Sequence, residues 1–176
     1  IKLLGSELVA DGIKHCLLIA GGGSIRANGV YEQVTDSLQK AGIVFSESWG
    51  VQANPRLDKV RELIALAREL QVDAILAVGG GSVIDSAKAV AAGFYLNDIW
   101  NAFRGSEQVK QALPIYTVLT LSATGSEMNG NAVITNNDTT QKWGISSALI
   151  YPRLSIIDPS VQFTLSFRQT ASGAID

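Results

Sequence analysis

The stretch Ala74-Ile75-Leu76-Ala77-Val78-Gly79-Gly80-Gly81-Ser82-Val83-Ile84-Asp85-Ser86-Ala87-Lys88 decides the fold. The unbroken apolar run Ala74 to Val78 describes a strand covered on both faces, as strands of parallel sheets are. Three glycines end it. Ser82 then opens a helix in which Val83, Ala87, Val90 and Ala91 form the apolar stripe. Upstream the same unit recurs: Leu17 to Ala20 is ended by Gly21, Gly22 and Gly23, and Val30, Val34, Leu38 and Ala41 follow at helical spacing, with Gly42 as the stop. Ile43 to Phe45 is a second strand, and a loop through Gly50 and Asn54-Pro55 leads into a helix bearing Val60, Leu63, Ile64, Ala67 and Leu70 on one face. Downstream, Pro114 precedes a fourth strand, Ile115 to Leu119. Strands and helices alternating at this spacing predict an α/β fold: a Rossmann-like parallel sheet with helices on both faces.

Past Leu121 the pattern changes. Ala132 to Thr135 and Lys142 to Ile145 flank the turn-forming Asn136-Asn137-Asp138, which predicts a small β-hairpin. Leu154 to Ile157 is another short strand, closed by Asp158-Pro159, and Ser166 is placed to cap a terminal helix.

Composition narrows the function. Of 176 residues 47 % are hydrophobic and 17 % charged, enough apolar material for a core. Fourteen basic against sixteen acidic residues leave a net charge of −2, which argues against a nucleic-acid partner. The longest apolar run, Ala89 to Leu96, is too short to span a bilayer, so no membrane partner is expected. One cysteine, Cys16, and one histidine, His15, exclude a disulfide framework and a self-contained Cys/His metal site; both read as packing residues. A reducing cytoplasm is the expected location. The sole methionine is Met128, and the residues from Arg168 run into the opening of a helix and stop at Asp176. Both ends therefore read as cuts through structure, and the chain is expected to be most of one domain of a larger protein. Its mean hydropathy of +0.20 fits apolar surface intended for an interface.

The glycine loops carry the chemistry. Gly21-Gly22-Gly23-Ser24 and Gly79-Gly80-Gly81-Ser82 each leave a buried strand at its carboxyl end, where open α/β sheets bind ligands. Glycine lets the backbone approach a phosphate, and the first turn of the next helix offers unpaired N–H groups. Ser82 can cap that helix or donate to a phosphate oxygen. Asp85 can compensate the helix dipole or contact a ribose or nicotinamide group. Neither loop is G-x-G-x-x-G, and no Lys-Ser/Thr pair follows as in a P-loop, so kinase or ATPase chemistry loses its support. Two such loops in neighbouring βα units point to a dinucleotide site. A third element, Thr120-Leu121-Ser122-Ala123-Thr124-Gly125-Ser126-Glu127, is rich in hydroxyls suited to a ribose or amide edge, or is an ordinary capped turn. Lys142, isolated in the hairpin, reads by default as a surface charge, and no residue is a convincing catalytic acid or base.

Four ordered motifs bring a family into view: Val51-Gln52-Ala53-Asn54-Pro55, the Gly79 to Lys88 run, Leu119 to Glu127, and Ile157-Asp158-Pro159. Together they resemble the iron-containing (group III) alcohol dehydrogenases, above all the NADPH-linked butanol dehydrogenase and aldehyde reductase branch. The resemblance covers nearly the whole chain and places it as the N-terminal domain, lacking a first strand or hairpin. Residues 1–165 are then the dinucleotide-binding domain, and 166–176 begin a C-terminal helical metal-binding domain. It implies that Gly80, Gly81 and Ser82 hold the pyrophosphate with Asp85 toward the nicotinamide, that Asn54 and Thr120 line the adenosine half, and that Thr124 and Ser126 line the nicotinamide ribose. It turns Lys142 into a cofactor contact. Gly23, Ser24 and Arg26 fall where the adenine ribose is read. NAD-selective relatives carry an aspartate in that loop, so its absence here favours NADP(H) over NAD(H).

The resemblance further implies a divalent metal, iron or zinc, that polarises the substrate oxygen while the nicotinamide exchanges hydride. Asp176 matches the family's aspartate ligand, but the histidine ligands lie beyond the chain, and His15, taken to precede the first strand, is no substitute. No metal is expected on the chain alone. A small alcohol or aldehyde is the implied substrate and a homodimer the implied assembly. Glycerol dehydrogenase and dehydroquinate synthase share the architecture and stay open as alternatives, as does a non-catalytic nucleotide-binding module.

Overall fold

Fourteen helices and strands follow one another in the order α1 (Leu4–Ala10), β1 (His15–Ala20), α2 (Ser24–Ala27), α3 (Val30–Lys40), β2 (Val44–Ser48), α4 (Leu57–Glu69), β3 (Ala74–Gly79), α5 (Gly81–Gly93), α6 (Ile99–Phe103), β4 (Ile115–Leu119), β5 (Asn131–Asn136), β6 (Gln141–Ser146), β7 (Leu154–Ile157) and α7 (Phe167–Ile175), with short 3-10 turns between some of them. The structure is a computed structural model and describes residues 1–175. Five strands form one parallel sheet in the order β2-β1-β3-β4-β7, and β5 and β6 form the separate antiparallel hairpin. Among the described residues no helix is long and apolar enough to cross a membrane.

Side chains of the central strands alternate between two cores, as a period of two requires. Leu17, Ile19, Ile75 and Ala77 join α4, α5, α6 and the hairpin residues Ala132 and Ile134 on one face. Cys16, Leu18, Ala20, Leu76, Val78 and Tyr116 join α1 and α3 on the other. Helix α5 is wrapped almost completely: every residue from Ser86 to Gly93 is buried. The hairpin docks through Trp143, whose ring stacks on Trp100 of α6 at 5.8 Å.

Where expectation and structure differ, the cause is local. The stripe from Val30 is α3, and the structure adds before it a single turn, α2, set apart by Gly29 at φ 75°; the first N–H of α3 donates to the Asn28 side chain. β2 begins at Val44 and runs to Ser48, because pairing with β1 carries it beyond its apolar residues. His15 is the first residue of β1 and does not precede it; its Nε2 bonds the Ser46 hydroxyl at 3.0 Å across to β2. Cys16 is fully buried, and burial pushes its thiol up to about 12. Helices α1 and α6 were not anticipated, being too short to show periodicity.

Candidate functional site

β1 and β3 are neighbours, with Ala20 opposite Val78, so the two triglycine loops emerge side by side. The chain turns to opposite sides after them, β2 lying beyond β1 and β4 beyond β3. That is the topological switch point of a doubly wound sheet, where its ligand crevice opens. The second loop is bare for a packing reason. A Cβ on Gly79 would strike Val83, one on Gly80 would press Leu121 at 3.3 Å, and one on Gly81 would collide with the Thr124 hydroxyl.

Gly80 is the N-cap of α5, so Ser82 stands inside the first turn and does not cap it; no side chain caps this helix. The Val83 and Ile84 N–H groups return to the Gly80 carbonyl, whereas those of Gly81 and Ser82 have no hydrogen-bond partner among the described residues. A helix of this length with two free N–H groups and its positive end at the crevice is a receptor for an anion.

Beside the α5 N-terminus lies a cleft of about 370 Å³ that brings Asn54, Gly81, Ser82, Asp85, Thr124, Ser126 and Lys142 together. One wall is held from behind by Lys88, which is 0 % exposed. Its ammonium donates to the Ser126 hydroxyl (3.0 Å), to Asn129 through its carbonyl (2.7 Å) and Oδ1 (3.1 Å), and to the Asn131 carbonyl (2.9 Å). Burial pushes Lys88 down to about 8, against the pull of Asp85 and Glu127. The Ser126 hydroxyl donates onward to Asp85 at 2.6 Å, and the other Asp85 oxygen accepts the Val133 N–H at 3.0 Å. Burial lifts the Asp85 carboxyl above the ordinary carboxylate value, while the Ser126 and Val133 bonds and the charges of Lys88 and Lys142 oppose that rise. Ser126, 2 % exposed and bonded on both sides, fixes the wall.

The opposite wall joins two distant segments. Lys142 of β6 donates to the Asn54 side chain at 2.7 Å, and Asn54 is held at φ 57°, a left-handed conformation that asparagine tolerates. The Thr135 N–H donates to the Pro55 carbonyl at 2.8 Å, anchoring the loop to the hairpin. Asn54, expected along the adenosine half, thus shares the compartment of Asp85 and Lys142. Thr120 stands outside the cleft, its N–H on the Gly79 carbonyl at 3.1 Å.

At the first loop, Gly23 adopts φ 106° and starts α2, leaving Ser24 and Arg26 exposed on the rim. Arg26 lies over the Trp49 ring with its guanidinium carbon 4.1 Å from the centroid and 3.7 Å separating its Nη2 from Glu47. Glu47, Trp49 and Lys88 escaped the sequence reading as site residues. A lysine three positions after Asp85 in an otherwise apolar helix was the available signal for the last; the other two meet Arg26 only through strand pairing.

Among the described residues no three His, Cys, Asp or Glu side chains gather where they could hold a metal ion. Asp176 lies outside the described residues. The described residues do not by themselves fit a metal. A larger hollow of about 720 Å³ lies along Leu121, Ile157 and Phe163, bounded by α7, where Gly173 packs so close that a Cβ would strike the Ser122 carbonyl.

Comparison with known proteins matches residues 1–159 to the family described as iron-containing alcohol dehydrogenase. The chain is 48 % identical to the probable NADH-dependent butanol dehydrogenase 1 of Bacillus subtilis, over all of this chain and 46 % of that protein. It is 41 % identical to the NADPH-dependent aldehyde reductase YqhD of Escherichia coli, over 91 % of this chain and 42 % of that one. The crystal structure of NADH-dependent butanol dehydrogenase A from Thermotoga maritima superposes with a TM-score of 0.98 at 58 % identity, covering 99 % of this chain and 44 % of that one. The chain therefore spans a little under half the length of the curated relatives it matches.

Proposed function

The chain belongs to the iron-containing alcohol dehydrogenase family, and from that premise we propose that it is the dinucleotide-binding domain of an oxidoreductase moving hydride between NAD(P)(H) and a small alcohol or aldehyde. The observation that carries this reading is the uncapped α5 N-terminus in the β1/β3 crevice, behind glycines that admit no side chain. Those features fit a diphosphate. The Gly81 and Ser82 N–H groups bind it without surrendering an existing bond, so no internal hydrogen bond opposes binding. Asp85, Thr124 and Lys142 then line the path to the nicotinamide, and the Lys88 lattice keeps that wall in place. When bound, the nicotinamide supplies the hydride.

The family implies iron or another divalent metal as well, and the described residues supply no site for it. In this reading its ligands come from residues from 166 onward, where a second domain begins, and the apolar hollow against α7 is the near wall of the space between the domains. Ser24 and Arg26 favour NADP(H), since a guanidinium is suited to a 2′-phosphate; the named relatives include users of either coenzyme.

The test is turnover by the full-length, metal-loaded protein. It is expected to oxidise NADPH or NADH on addition of butanal; absence of aldehyde-dependent oxidation with either coenzyme contradicts the reading. Lys142→Ala is expected to weaken coenzyme binding by about tenfold, the value of one charge-assisted contact, measured by calorimetric titration. Its side chain is exposed, so the melting temperature should stay unchanged.

A further inference from the structure

Arg26 stands on the single-turn helix α2 with 56 % of its side chain exposed, a setting in which arginine ordinarily samples many rotamers. Here it is held. Its guanidinium lies 4.1 Å from the Trp49 ring centroid and 5.1 Å from that of Tyr31, and the two rings meet at 5.4 Å. Trp49 is held in turn: its indole N–H donates to Glu47 at 2.9 Å, and the other Glu47 oxygen accepts the Tyr31 hydroxyl at 2.5 Å. An aromatic ring engages the face of a guanidinium, so in-plane N–H groups can still reach an incoming anion. The nearest carboxylate oxygen, at 3.7 Å, is beyond hydrogen-bond reach and already bonded to Trp49. The result is an arginine oriented at the rim of the first glycine loop, its guanidinium in a loose ion pair with Glu47.

We propose that Trp49 is a positioning residue for coenzyme selection, its ring face holding Arg26 ready to receive the 2′-phosphate of NADP(H). The proposal rests on the dinucleotide reading above and deepens it. Glu47 locks the platform through the indole N–H, and its nearby negative charge keeps the preference for the phosphorylated coenzyme to roughly tenfold, not orders of magnitude. Trp49 itself touches neither coenzyme.

The experiment compares NADP⁺ and NAD⁺ binding to this chain by calorimetry in four variants. Arg26→Ala is expected to weaken NADP⁺ about tenfold and leave NAD⁺ within about twofold, as loss of a charged contact does. Trp49→Leu should weaken NADP⁺ about fivefold with the same selectivity, while Trp49→Phe, which keeps an aromatic face, should restore most of it. Arg26→Lys replaces an exposed side chain, so it tests the claim even if Trp49→Leu does not fold. Because an ammonium neither stacks flat nor binds bidentately, it should lose most of the preference. The proposal is overturned if Trp49→Leu weakens both coenzymes alike, if Trp49→Phe is as poor as Trp49→Leu, or if either Arg26 variant keeps the wild-type ratio. Failure of the wild-type chain to bind either coenzyme overturns instead the dinucleotide reading on which the proposal rests.

Discussion

Lys88→Met is expected to destabilise the chain by about 3 kcal/mol, because it removes the donor of one buried and three partly buried hydrogen bonds. Methionine matches the length of lysine, so no cavity opens and packing loss is not the cause. What disappears is the ammonium that ties Ser126, Asn129 and Asn131 to α5. Equilibrium urea unfolding should show a lower midpoint with an unchanged slope. Titration gives a second signature. The Lys88 pKa is lowered on folding, from 10.5 to about 8, so between those values the unfolded chain binds more protons than the folded one. Stability therefore rises with pH through that window in the wild type relative to Lys88→Met. A loss below about 0.5 kcal/mol, within the scatter of ordinary surface changes, contradicts the assigned role.

Gly81→Ala should reduce coenzyme affinity by about thirtyfold with little loss of stability, the converse pattern. Alanine suits the first turn of a helix, and Gly81 has no left-handed backbone requirement. The difficulty is steric: the new methyl group collides with the Thr124 side chain and pushes the loop after β4 across the free N–H groups. Adding Thr124→Ala removes the hydroxyl and methyl that collide, leaving a tight contact at 3.3 Å, and should recover part of the affinity. If Gly81→Ala binds coenzyme as the wild type does, the bare glycine has only a packing role.

The sheet was legible because its central strands β1, β3 and β4 are buried on both faces and advertise this in apolar runs. β4 and β7 were read to the residue, helped by Pro114 before one and Asp158-Pro159 after the other. The single turn α2 was hidden, since four residues are too few to show a period, whereas the stripe from Val30 is α3. Half of the site was equally readable: glycines after strands mark where a crevice opens, Ser82 and Asp85 lie close to them in the chain, and Thr124 lies in the hydroxyl-rich stretch after β4. The partnerships that hold the site were not. Lys142 meets Asn54, Lys88 meets Asn129 and Arg26 meets Trp49 only after parallel pairing and the docking of the hairpin bring distant segments together. Local periodicity carries no record of such meetings.

ADP, which has the diphosphate and no nicotinamide, can be titrated into the isotope-labelled chain while its backbone amide resonances are followed. Binding at the mouth between β1 and β3 predicts saturable shifts that are largest at Gly81 and Ser82 and extend to Gly80 and the Gly21–Gly23 loop. Saturation with those amides unmoved, or shifts gathered on another part of the surface, would contradict it.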